Sequence, residues 1–376
     1  MTELTPAHLA AAHWTRLVEG GDTVAWELIQ RLGYQEALTA SQTGVGLSPA
    51  EKQQAQRWQQ RAENLRPLTA QMIAAMKLQL LIPGDEFWPA QLTDLGADCP
   101  LALWVRGEVR ALARPMLAIV GSRDASSYGQ DIARDIAYEL ANYFTIVSGG
   151  AFGIDAAAHR GALLADQATV IVSAGGADRV YPRAHQQLFT DVIAHGGAVV
   201  SENPPNAAPQ RFRFLLRNRI IAALAGTTVV VEAPFRSGAL STARHALALG
   251  RNVGAFPGRV DSPRSVGCHE LLRNSATLVT NSAQVSELAF PIGMAPESAA
   301  AQLTIPDFFT GAGAADFDPK QQRVFDAVPV RRAAELAKIA QLAALSIPET
   351  MSALGALKFA GKVVESGSGW VKADTG

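Results

Sequence analysis

A chain of 376 residues is too long for one ordinary domain, so two or three are expected. No apolar run approaches the ~20 residues of a membrane span, and the opening MTELTPAHLAAAHW lacks the basic start and apolar centre of a signal peptide; a cytoplasmic protein without membrane contact is expected. The formal net charge of −1 sets the whole chain apart from strongly basic polyanion binders, and Cys99 and Cys268 are too few for a disulfide framework and lack metal-ligand spacing.

Residues 1–72 read as a small helical domain, with helices at 6–19, 23–32, 35–40 and 49–62 divided in part by Gly20-Gly21 and Gly33. Short helices joined by Gly-containing turns fit a helix–hairpin–helix or SAM-like module. Its charges are mixed, Gln is frequent, and no basic cluster forms, so packing or partner contact is favoured over DNA contact. Residues 78–107 form a connecting segment punctuated by Pro83-Gly84, Pro89 and Pro100, with one strand in LALWVRG.

The stretch MLAIVGSRDASSYG at 116–129 organises the central part of the chain. A short apolar run ends at Gly121-Ser122-Arg123 and feeds an amphipathic helix, the entry unit of a doubly wound fold. Further strands are expected at 144–147, 169–172, 198–201, 228–231, 252–256 and 276–279, with helices between them. This alternation defines the fold class: α/β, an extended Rossmann-like parallel sheet at 78–290 with helices on both faces. Ligands of such sheets bind outside the carboxyl ends of the strands, where every Gly-rich turn of this segment falls.

Residues 291–317 are rich in Ala, Gly and Pro without periodicity and read as a linker. Helices at 319–327, 332–342 and 347–359, succeeded by the hairpin GKVVESGSGWVKA, read as a winged-helix domain at 318–376. Its third helix carries Pro348, Glu349 and only Lys358, so protein contact is favoured there over duplex binding.

Dinucleotide and P-loop chemistry are excluded by spacing. Gly121-Ser-Arg and Gly149-Gly150-Ala-Phe-Gly153 do not fit G-x-G-x-x-G, no acidic residue ends the next strand, and no G-x-x-x-x-G-K-[ST] exists. Ser122, Ser148 and Ser237 lack the nucleophile-elbow context. His159 and His185 read as packed residues, Asp155 as a helix cap, and Asp178 and Glu202 as partners that orient arginines. No carboxylate pair stands out as acid and base.

What remains is a set of Gly/Ser turns and arginines. No lysine lies between residues 101 and 290, and no acidic residue lies between Glu202 and Glu232, where Arg211, Arg213, Arg217 and Arg219 cluster. These, with Arg123, Arg183 and Arg236, fall in or just after strand-end turns, and Phe212, Phe214 and Tyr181 interleave with them. Guanidinium groups with aromatic rings are the composition of a single-stranded nucleic-acid platform. In the helix after Phe214, Leu215, Ile220 and Ile221 are expected inside, with Arg217 and Arg219 partly exposed. One phenylalanine of the pair is expected in the core, and Phe214 is the one expected to stack.

The segments IVGSR at 119–123, SGGAFGIDAAAHRGAL at 148–163, DRVYPRAH at 178–185, SENPP at 201–205, RNRIIA at 217–222, VVEAPFRSGALSTARHAL at 230–247 and NVGAFPG at 252–258 resemble the DNA processing protein A family, also called DprA or Smf. The resemblance implies a homodimer that binds single-stranded DNA and helps load the RecA recombinase in natural transformation, in contact with single-strand-binding protein. It implies no turnover and no nucleotide cofactor. The implied DNA site comprises Gly121, Ser122, Arg123, Arg183, Arg211, Phe214 and Asn218, with Arg236, Ser237 and Gly238 along the same edge; Arg217 and Arg219, from the arginine cluster, complete the expected DNA-binding set. Arg183 stands where the family commonly has Lys, FRFLLRNR replaces F-P-x-R-N-R, and AGGADRVYP replaces a G-x-G-x-D turn. The alternative is a Rossmann-like nucleoside monophosphate phosphoribohydrolase. Such enzymes carry P-G-G-x-G-T-x-x-E with a catalytic Glu, which the nearest stretch here, APFRSGALSTARHA, lacks.

Overall fold

The computed structural model of the chain describes residues 4–63, 65–66, 68–290, 318–330, 333–366 and 369–373. They fall into two compact units that divide at residue 302. The linker expected at 291–317 lies outside the described residues.

The first unit begins with helices α1 (Pro6–Leu17), α2 (Thr23–Leu32), α3 (Tyr34–Thr43) and α4 (Pro49–Ala62). Asp22 caps α2 by accepting from the Ala25 N–H at 3.1 Å, and its other oxygen accepts from Trp58 Nε1 at 3.0 Å. Trp58 meets Trp14 edge-to-face at 5.0 Å, which closes the bundle. The other face of α1 joins the sheet: Ala11 and Ala12 pack in one core with Trp104 and Ile171, and Trp104 Nε1 donates to Thr15 Oγ1 at 3.2 Å. The boundary expected at residue 72 is therefore no gap in packing. Helix α5 (Ala70–Ala75) leads into the sheet.

That sheet has nine strands among the described residues, in the order β1-β2-β6-β5-β4-β3-β7-β8-β9. They are β1 (Gln79–Leu81), β2 (Leu103–Gly107), β3 (Met116–Val120), β4 (Thr145–Ser148), β5 (Thr169–Val172), β6 (Ala198–Ser201), β7 (Thr227–Val230), β8 (Asn252–Ala255) and β9 (Thr277–Leu278). From β6 to β9 every pairing is parallel. The strand expected within 101–107 departs from the parallel rule: β2 runs antiparallel to β6, and the unanticipated β1 runs antiparallel to β2. No crossover helix joins β2 to β6 in sequence, so nothing fixes their directions to be alike.

Helices cover both faces. On one, α6 (Ser127–Leu140) and α7 (Ile154–Leu164) bury Ile136, Leu140 and Ile154 against Leu117, Ile119 and Ile146. On the other, α9 (Arg211–Leu224) and α10 (Gly238–Ala248) bury Ile220, Ile221 and Leu240 against Ala118, Val120 and Val230. Helix α8 (Gln186–Ala194) packs behind β5 and β6, and α11 (Val266–Asn274) and α12 (Ser282–Ala289) close the unit. Strands β3 to β6 wind outward one way and β7 to β9 the other, so the winding reverses between β3 and β7. A crevice must open there, because the chains leaving those two strands turn to opposite faces.

The second unit holds α13 (Pro319–Ala327), α14 (Leu336–Ala343), α15 (Ile347–Phe359) and the antiparallel hairpin β10 (Val363–Ser366) and β11 (Gly369–Lys372). Val324, Ile339, Leu354, Leu357 and Val363 form its core. Helix α14 starts later than the expected residue 332, because Ala334 is extended and bridges to Trp370. Glu349 closes a capping box with Ser346 and binds Lys320 at 2.8 Å, so this acid of α15 is engaged in holding helices together.

Candidate nucleic-acid interface

The turn after β3 is held open by its neighbours. The Ser122 N–H donates to the Glu232 carbonyl at 2.7 Å, and the Ile154 N–H donates to the Ser122 carbonyl at 3.2 Å. Gly153, at φ 74, leaves room for that second contact, since a Cβ there would lie 2.2 Å from the Ser122 oxygen. The Glu232 carboxylate accepts from the Ser126 N–H at 2.9 Å and from Ser126 Oγ at 2.6 Å, and Ser126 in turn caps α6 through the Gly129 N–H. Arg123 is thereby turned outward. Its guanidinium stands 4.8 Å from the ring centre of Phe214, which itself lies 5.5 Å from Tyr181.

The turn after β4 supplies the floor. Asp155 accepts from the Gly149 and Ala151 N–H groups at 3.2 and 3.4 Å. The expected role of Asp155 as the cap of α7 is not the one observed; the cap position is Gly153, and Asp155 instead ties the turn together from the first helical turn. Arg217 is buried against this turn and donates through Nη1 to the Val172 carbonyl at 2.6 Å. A Cβ on Gly149 would sit 1.9 Å from that Nη1, so glycine is what lets the guanidinium lie there. Burial pulls Arg217 down to about 10, while Asp155 holds it up. It therefore remains a cation at neutral pH. Asp155 is pushed upward by its own burial, against the pull of Arg217.

Helix α9 begins four residues earlier than the expected 215, at Arg211, and its N-cap residue Gln210 offers no side-chain cap. No acid stands in its first turn. Arginines at the positive end of a helix are unfavourable without an anion nearby. Arg213 is relieved by Glu19, 2.7 Å away on the turn between α1 and α2. Arg211 is exposed at the cleft and has no ion pair among the described residues. Asn218 donates to the Gly238 carbonyl at 3.1 Å and so ties α9 to α10, whose N-terminus is capped by Ser237.

These turns enclose a cleft of about 390 Å³ at the β3/β7 switch point. Of the residues expected to form the site, Gly121, Ser122, Arg123, Arg211, Phe214, Arg217, Asn218, Arg236, Ser237 and Gly238 line it. Arg183 is exposed on the turn that carries Tyr181, outside the cleft lining. Arg219 is turned away into a buried bidentate pair with Glu202, at 2.6 and 3.0 Å. The expectation that Arg217 and Arg219 are partly exposed is overturned, since both are buried; Leu215, expected inside, is exposed. The reason is the crossing of α9 over β3 to β5, which turns its Arg217 and Arg219 faces toward neighbouring loops. Neither phenylalanine is in a core: Phe212 is exposed beneath Arg213, and Phe214 forms the cleft wall.

The acids near the cleft are engaged. Asp124 pairs with Arg264 at 2.8 Å, Asp155 holds backbone N–H groups, and Glu232 holds Ser126. Glu202 orients Arg219 as expected, whereas Asp178 accepts from the Asn206 N–H and orients no arginine among the described residues. His159 is buried beside Thr169 Oγ1 at 2.8 Å, and His185 approaches the Gly150 carbonyl at 3.0 Å. Cys99 and Cys268 are buried, and burial pushes both thiols up to about 12. Sequence reasoning missed Asp155 and Glu232 as the fasteners of the two turns. Glu232 and Ser126 are 106 positions apart, and no local pattern joins them.

The sequence profile of the DNA recombination-mediator protein A family matches residues 79–289. The chain belongs to that family. It is 37% identical to a putative DNA processing protein DprA of Mycobacterium tuberculosis over 95% of this chain and 92% of the relative. It is 38% identical to the protein Smf of Escherichia coli over 78% of this chain and 77% of the relative. Among solved structures, DNA processing protein A of Streptococcus pneumoniae aligns with a TM-score of 0.62 at 29% identity, covering 77% of this chain and 100% of that one. A Helicobacter pylori DNA processing protein A, described for its single-stranded DNA binding mode, aligns with a TM-score of 0.50 at 31% identity, covering 56% and 94%. The recombination-mediator match runs from β1 to α12, so the switch-point cleft lies wholly inside it.

Proposed function

We propose that the cleft binds single-stranded DNA. The observation that carries this reading is the wall formed by Phe214 and Arg123, with the Tyr181 ring beside Phe214, above a floor holding the buried cation Arg217. Arg123, Arg211 and Arg236 take phosphates, the uncapped start of α9 adds backbone donors, and the rings of Phe214 and Tyr181 take bases. The Helicobacter relative described for single-stranded DNA binding supports it. The reading includes a homodimer acting in the cytoplasm that delivers the strand to RecA, alongside single-strand-binding protein. It includes no turnover: Asp155 and Glu232 are the buried acids nearest the cleft, and each is spent on holding a turn rather than positioned for proton transfer.

A fluorescence titration with labelled oligo-dT tests it. Each phosphate contact contributes a slope of about −0.7 to log affinity against log salt, so the slope should approach about −2 for Arg123, Arg211 and Arg236. Arg123→Glu replaces an exposed cation by an anion and should lower affinity by about 100-fold without changing the melting temperature. Unchanged affinity would remove the cleft from the account.

A further inference from the structure

A second groove, of about 720 Å³, adjoins the cleft and shares Leu215, Arg236, Ser237 and Gly238 with it. It descends along α10 between that helix and α9. Gly238, Ser241 and Arg244 or His245 recur at helical spacing along its wall, so from Gly238 to His245 it runs about 10 Å. Phe235 stands at its mouth with 62% of its surface exposed, at a place where no core needs it. Arg236 and Arg244 are exposed, and neither has an ion pair among the described residues. On the inner wall Arg219 is buried, and its Nε has no hydrogen-bond partner. Asp98 and Glu270 close the far side, so the cationic stretch is limited to the run from Phe235 to Arg244.

The cleft and this groove meet over Gly238, which has no side chain to divide them. We propose that the strand held in the cleft continues over Gly238 into the groove beside α10, where Phe235 stacks a base and Arg244 takes a phosphate. This rests on the single-stranded DNA reading of the cleft. The stretch accommodates about three stacked nucleotides at about 3.4 Å each. A bound strand therefore has a direction across the rim, from the Tyr181 side toward α10, rather than a single anchoring point.

Length dependence separates the two statements. Oligo-dT of four and of twelve nucleotides would be titrated against the full chain, Phe235→Ala, Arg244→Glu and the double variant. Both substitutions are at exposed positions outside the cleft lining, and a thermal melt checks that each variant is folded. The expected result is unchanged affinity for the four-nucleotide strand and a loss of about tenfold or more for the twelve-nucleotide strand in the double variant. The salt slope for the longer strand should fall by about 0.7 on loss of Arg244. Equal affinity of the double variant and the native chain for the longer strand overturns the extension, and leaves the cleft intact if Arg123→Glu still lowers affinity by about 100-fold. Insensitivity of the short strand to Arg123→Glu removes the cleft reading, and the extension with it.

Discussion

At the scale of single residues, the site depends on glycines that admit a guanidinium and a carbonyl where side chains would stand. Gly149 is the sharpest case, because a Cβ there would overlap Arg217. Gly149→Ala should push the guanidinium out of its seat under Val172. The expected cost is about 1–3 kcal/mol of stability, since the displaced group has a buried surround. Affinity for oligo-dT should fall as well, read by titration beside a urea melt; native affinity would show that the seat of Arg217 does not matter to binding. The glycines and arginines are legible in the sequence as a set, because Gly/Ser turns and basic residues recur after each strand. Which arginines face the cleft is not. Arg217 and Arg219 are two positions apart on one helix, and what separates them is Glu202, which lies on another loop.

At the scale of elements, α9 carries both kinds of arginine and so links the site to the body of the fold. Its Arg219–Glu202 pair has side chains 4% and 8% exposed, well out of water. Glu202→Gln would leave a buried guanidinium without its counter-charge, and breaking such a pair costs about 3–5 kcal/mol. A shift of that size in urea unfolding is expected; a change under about 1 kcal/mol would mean the pair is solvated in the native state. The parallel strands from β3 to β8 are readable because each is a short, largely apolar run flanked by turn residues. The antiparallel edge is not. β1 has only three residues, and its pairing with β2 depends on contacts 22 to 26 positions away. The start of α9 is equally hard to place, because RFRF has no cap and no apolar period that marks a helix.

At the scale of the whole molecule, the net charge of −1 conceals a local field. Acids near the cleft are paired or hold backbone, while Arg123, Arg211 and Arg236 are left facing solvent along one rim of the sheet. Reversal of winding between β3 and β7 is what gathers them, since it opens the rim at the one place where these turns converge. That convergence depends on strand order, which sequence pattern implies only as a class of fold. The three helices and hairpin expected at 318–376 have their own core among the described residues. A crystal structure of the full chain with oligo-dT is the most direct test of single-strand binding at this rim. A phosphate at the Gly121–Arg123 turn with a base against Phe214 is the predicted result, and an oligonucleotide bound away from that corner would contradict it.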